Sequence, residues 1–130
     1  MTPSPKPWIP FWNLAVGAMD ACTGILLMVA PAFTLRLMKL EVPAGILPFI
    51  GWIGAFVFAV GSAYFFALRS PGEGTAMVWR ITAFARTVVA GYLVWKISTG
   101  SLSTGWATVA ATDAVVAMVQ WIGLKRRWLS

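Results

Sequence analysis

The chain has 130 residues, of which 59% are hydrophobic and only 11% charged, with a mean hydropathy of +0.79. Soluble domains carry about 25% charged residues, and a water-facing surface on a chain of this size needs more polar groups than these. The composition therefore excludes an ordinary soluble domain. Long apolar runs joined by short polar hinges require lipid as solvent.

The formal net charge of +6 does not indicate nucleic acid. The one basic run, Lys125, Arg126 and Arg127, directly follows an apolar segment. That is the place of a topology anchor or a lipid headgroup contact. Cys22 is the single cysteine and histidine is absent. An intrachain disulfide, a His/Cys metal site and histidine-ligated haem are thereby excluded, and no cofactor is expected. Cys22 is expected to pack as a small apolar residue.

In chain order, residues 1–10 carry four prolines and read as an extended arm. A first span follows at 11–30, closed by Pro31. Asn13 and Asp20 interrupt its apolar run, and Ala30 precedes a proline, so it reads as a mature helix and not as a cleaved leader. Residues 33–40 put Phe33, Leu37 and Leu40 at helical spacing with Arg36 and Lys39 between them, the pattern of a short amphipathic segment in the interface. Pro43 and Pro48 bracket an apolar loop, and a second span runs over 49–68. The hinge at 69–74, RSPGEG, is the clearest turn in the chain. A third span covers 77–97, a Ser/Gly/Thr hinge 98–104, a fourth span 105–124, and a basic tail 125–130. Each span has about the ~20 residues that cross a hydrocarbon core. Most of the eight tryptophans fall near span ends, as an interfacial belt would, while Trp52 and Trp121 suit core packing equally.

The expected fold is all-α: an integral membrane four-helix bundle with a short interfacial segment between spans one and two. Four spans put both ends of the chain on one side. That side collects Lys6, Arg69, Lys125, Arg126 and Arg127, with Arg80 near the boundary, against Arg36, Lys39 and Lys96 on the other. The positive-inside rule then places both termini in the cytoplasm and the protein in the inner membrane. The halves show no sequence repeat, so an inverted-repeat transporter is not indicated.

The sharpest feature is the position of three charges. Asp20, Arg86 and Asp113 lie near the middles of spans one, three and four. A charge at mid-bilayer costs about 2.5–3.5 kcal/mol on insertion scales, so Arg86 is expected to pair with Asp20, Asp113 or both. Helical spacing puts each among small residues: Asn13, Gly17, Asp20 and Gly24; Ala83, Arg86 and Ala90; Ala110, Asp113, Ala117 and Gln120. Span two supplies Gly51, Gly54, Ala55, Gly61 and Ser62, with Tyr64 as a hydrogen-bond donor. One reading is a structural network that sets helix order. The other is a proton, ion or ligand site supported by Asn13, Tyr64 and Gln120, although Asn13, Thr23, Thr87, Thr112 and Gln120 make a sparse polar path. No catalytic constellation is present: Ser-His-Asp and Cys-His need histidine, and no P-loop lysine follows Gly72 and Gly74.

Residues 17–40, GAMDACTGILLMVAPAFTLRLMKL, and 49–68, FIGWIGAFVFAVGSAYFFAL, resemble the DoxX-like group of small bacterial four-helix membrane proteins. A glycine-bearing first span ends in proline and leads through an amphipathic stretch to a glycine-punctuated second span. The resemblance covers the first half better than the second. It implies a four-helix membrane fold and, for some members, quinone-linked redox systems, and it carries over no functional residue.

Three functions fit these residues. A non-catalytic accessory or structural subunit of a larger membrane complex fits the bare hinges best, with membrane lipids and other membrane subunits or further copies as partners. An oligomeric transporter or channel would use Asp20, Arg86 and Asp113. A lipid- or quinone-binding protein would hold its ligand between helices. Met28 and Met38 could line an apolar pocket, although methionine is normally core filler.

Overall fold

The computed structural model describes residues 5–129, and they form an all-α structure without a strand among them. Five helices follow in order: α1 (Ile9–Val29), α2 (Pro31–Leu37), α3 (Leu47–Arg69), α4 (Glu73–Ser98) and α5 (Ala107–Lys125). Single 3-10 turns at Ala44–Ile46 and Thr104–Trp106 lead into α3 and α5. Four segments are long and apolar enough to cross a membrane, namely Ile9–Val29, Ala44–Arg69, Glu73–Ser98 and Thr104–Lys125. The chain is a multi-pass membrane protein. It divides into two compact units, residues 7–70 and residues 71–129 with 5–6. The first four residues of the expected arm, and Ser130 of the expected tail, lie outside the described residues.

Prolines shift the expected boundaries. Pro10 occupies the first turn of α1, Pro31 that of α2 and Pro48 that of α3. A helix's first turn has N–H groups with no internal partner, so a residue lacking an N–H fits there. The arm therefore turns helical at Ile9. The apolar stretch between Pro43 and Pro48, expected as a loop, is the entry of the second span. The third span also starts sooner than residue 77. Gly72 takes a positive φ of 82°, which closes the reversal, and Glu73 opens α4, where a carboxylate meets the positive end of the helix.

In the first unit α1 lies antiparallel against α3 through a seven-residue glycine repeat on each helix. Gly17 faces Gly61 and Gly24 faces Gly54. A Cβ on Gly61 would stand 2.5 Å from the Ala21 amide nitrogen and 2.8 Å from the Gly17 carbonyl oxygen, and one on Gly24 would collide with the Phe58 backbone. Lipid supplies no hydrophobic drive between helices, so close backbone approach is what binds them. Of the expected small-residue stripe on span two, Gly54 and Gly61 make this contact, whereas Ala55 is exposed and Gly51 is only in ordinary contact with α1. The short helix α2 buries Thr34 and Leu35, and Leu40 beyond it, while Phe33, Arg36 and Leu37 stay exposed. Its buried side thus differs from the expected Phe33, Leu37 and Leu40 face, and Phe33 and Leu37 are left for lipid.

In the second unit α4 and α5 pack antiparallel. Trp79, fully buried at 0% exposure, lies where a Gly123 Cβ would be, 2.6 Å from the ring. It is core, not belt. Trp8, Trp52, Trp95 and Trp121 are exposed. At the far end of α4, Tyr92 and Trp95 stack edge to face at 6.0 Å with the Lys96 ammonium 4.2 Å from the Trp95 ring, an arrangement suited to the headgroup level. Large apolar side chains such as Phe56, Phe66, Ile81 and Phe84 point outward, as lipid-facing residues do. Cys22 is also exposed on α1, so it does not pack in the core as expected.

Candidate functional site

The heptad of small and polar residues on α5 and its counterpart on α4 put three polar contacts along one helical pair. Near the middle, the Arg86 Nη1 donates to the Asp113 Oδ1 at 2.6 Å, with the two side chains 5% and 17% exposed. A charged hydrogen bond of that length is strong, and the pair removes from lipid two charges that each cost several kcal/mol alone. Toward one end, Gln120 is fully buried, and its Nε2 donates both to the Trp79 carbonyl at 3.2 Å and to the Thr82 Oγ1 at 2.9 Å. The Trp121 Nε1 also donates to the Thr87 Oγ1 across the same pair, at 3.0 Å. Trp121 is therefore a half-outward side chain tied to the neighbouring helix, a bond that its spacing alone did not indicate.

The threonines are tied within their own helices. Thr82, Thr87 and Thr112 donate to the carbonyls of Val78, Ala83 and Thr108, each four residues back. Such back-bonding is how a hydroxyl is satisfied in a span. Thr87 and Thr112 were candidates for a polar path, and their donors are engaged in this way. Among the described residues, no buried side-chain nitrogen or oxygen lacks a hydrogen-bond partner.

The other expected site residues are in the first unit. Asp20 is buried on α1, and its Cβ lies 2.8 Å from where a Gly61 Cβ would stand, at the glycine contact with α3. Asn13 and Tyr64 are buried on α1 and α3, with the Tyr64 Cβ 2.9 Å from the position of a Gly17 Cβ. The predicted faces are thus buried ones: Asn13, Gly17, Asp20 and Gly24 on α1, and Ala83, Arg86 and Ala90 on α4. Met28 borders an apolar groove of about 470 Å³ with Pro31, Leu47, Pro48 and Gly51. Met38, its expected companion, does not line it. The tail residues Lys125, Arg126 and Arg127 are exposed at the end of α5.

A multi-pass helical membrane protein with a buried arginine–aspartate pair is the class that these features define. Compared with known proteins, the chain is matched by no family model, no curated protein and no solved structure.

Proposed function

We propose that the chain is a non-catalytic accessory or structural subunit of a larger complex in the cytoplasmic (inner) membrane, with both termini cytoplasmic. The observation that carries this reading is the use of the intramembrane polar groups on α4 and α5. Arg86 is bound to Asp113, Gln120 to Trp79 and Thr82, and Trp121 to Thr87. Groups spent on joining one helix to another hold a scaffold together. The hinges are short, and the apolar faces of α3, α4 and α5 are open to lipid or to other helices. Orientation is supported by charge: Arg80, Lys125, Arg126 and Arg127 stand at one end of the α4–α5 pair and Lys96 at the other. The resemblance to DoxX-like proteins is what supports a redox-linked setting.

In mild detergent the native protein is expected to co-purify with larger membrane proteins, and recovery as a lone, stable monomer would refute the reading. The competing transporter reading predicts that the purified protein carries ions or protons across liposomes and that Asp20→Asn or Asp113→Asn changes the flux. Flux no greater than that of empty vesicles is the outcome expected here.

A further inference from the structure

We infer that the α4–α5 pair carries a binding site for the phosphodiester headgroup of an anionic phospholipid, held between Arg80 and Arg127. A cavity of about 430 Å³ opens where α4 begins and α5 ends, lined by Gly72, Glu73 and Arg80 on one side and by Gly123, Leu124 and Arg127 on the other. Both arginines are exposed. Among the described residues that line it, two guanidinium groups stand with one carboxylate, Glu73, a formal excess of one positive charge that suits one phosphodiester. The planar fork of arginine suits a phosphate in two-point contact. Leu124 and the flank of Gly123 supply an apolar wall toward the span, where the acyl chains would lie. The cavity is also at the right level, at the turn where both helices leave their apolar stretches.

The backbone under Arg127 fixes where its side chain leaves α5. α5 ends in a Schellman reversal: the Trp128 N–H donates to the Gly123 carbonyl at 2.9 Å and the Arg127 N–H to the Leu124 carbonyl at 3.3 Å, with Arg127 at φ 55°. Glycine is the usual residue at that position, because a Cβ there is strained. The corresponding reversal after α4 does use glycine, Gly100, at φ 80°. Lys39 takes the same position after α2, at φ 57°. From its place in the reversal Arg127 lines the cavity.

The test is native mass spectrometry of the full chain released from nanodiscs of mixed phosphatidylglycerol and phosphatidylcholine, with thermal stability measured in parallel. Wild type is expected to retain phosphatidylglycerol in preference to phosphatidylcholine. Arg80→Gln and Arg127→Gly should each lower that retention about five- to tenfold, the effect of one lost charged contact. Arg127→Gly should at the same time keep or raise thermal stability, which separates lost binding from lost folding. Lys125→Gln with Arg126→Gln removes two charges that do not line the cavity, and should lower retention less than either single change. Equal retention of phosphatidylcholine, an equal or larger loss in the Lys125/Arg126 pair, or displacement of the lipid by millimolar inorganic phosphate would each overturn the assignment.

Discussion

Replacing Asp113 by leucine should destabilise the protein severely in one background and hardly at all in another. In the wild type, Asp113→Leu takes from the Arg86 guanidinium, a group only 5% exposed, the carboxylate that its Nη1 meets at 2.6 Å. Removing one partner of a buried pair costs about 3–5 kcal/mol, and the insertion cost of a central arginine, about 2.5–3.5 kcal/mol, is of the same size. A loss of about 3 kcal/mol shifts the folding equilibrium by more than a hundredfold. Where Arg86 is already leucine, Asp113 is the stranded charge. Asp113→Leu then removes a liability and should be neutral or stabilising. The difference between the two backgrounds, about 3 kcal/mol or more, is the coupling of the pair, and the cycle isolates it from whatever else either residue touches. Reversible unfolding in mixed micelles, followed by far-ultraviolet circular dichroism, measures all four proteins. If Asp113→Leu costs the same with and without Arg86, the ion pair does not hold α4 to α5 and the reasoning fails.

Four further outcomes are expected. Gly61→Ala should cost about 1–3 kcal/mol, because its Cβ meets the Ala21 backbone at 2.5 Å and α1 must move away from α3; Gly91→Ala, with open space around it, should be neutral or stabilise by about 0.5–1 kcal/mol in the same unfolding assay. Gln120→Leu should cost about 1–2 kcal/mol, since it breaks the bonds to Trp79 and Thr82 while nearly keeping the volume. Cys22, outward on a membrane span, should resist a charged, membrane-impermeant maleimide in bilayers and react only after denaturation; labelling in intact membranes would place it in water. In a Cys22→Ala background, Ser101→Cys should be labelled by that reagent from outside intact cells and Pro71→Cys only after the cells are opened, and the reverse pattern would overturn the proposed orientation.

The amino-acid sequence by itself determined the class of protein. Apolar runs of span length with few charges have one solvent in which they are stable, so four membrane-crossing helices were legible without any contact being known. The buried faces were legible too. Helical periodicity alone puts Asn13, Gly17, Asp20 and Gly24 on one side of a helix, and the structure buries all four. Boundaries were less legible, because Pro10, Pro31 and Pro48 read as breaks while each sits in a first turn where its missing N–H costs nothing.

Distances between helices belonged to the tertiary structure. Spacing put Arg86 and Asp113 near the middles of spans three and four, and only the antiparallel register of α4 on α5 brings the two to 2.6 Å. Glycines on span two looked interchangeable until the register of α1 on α3 selected Gly54 and Gly61 over Gly51. The reason is the same in both cases. Periodicity is a property of one helix and tells which side is buried, whereas distance depends on the axial offset between two helices, which no single helix encodes. The arginine pair at the cavity extends the point. Arg80 and Arg127 are far apart in the chain, and they share one cavity only because α5 ends where α4 begins.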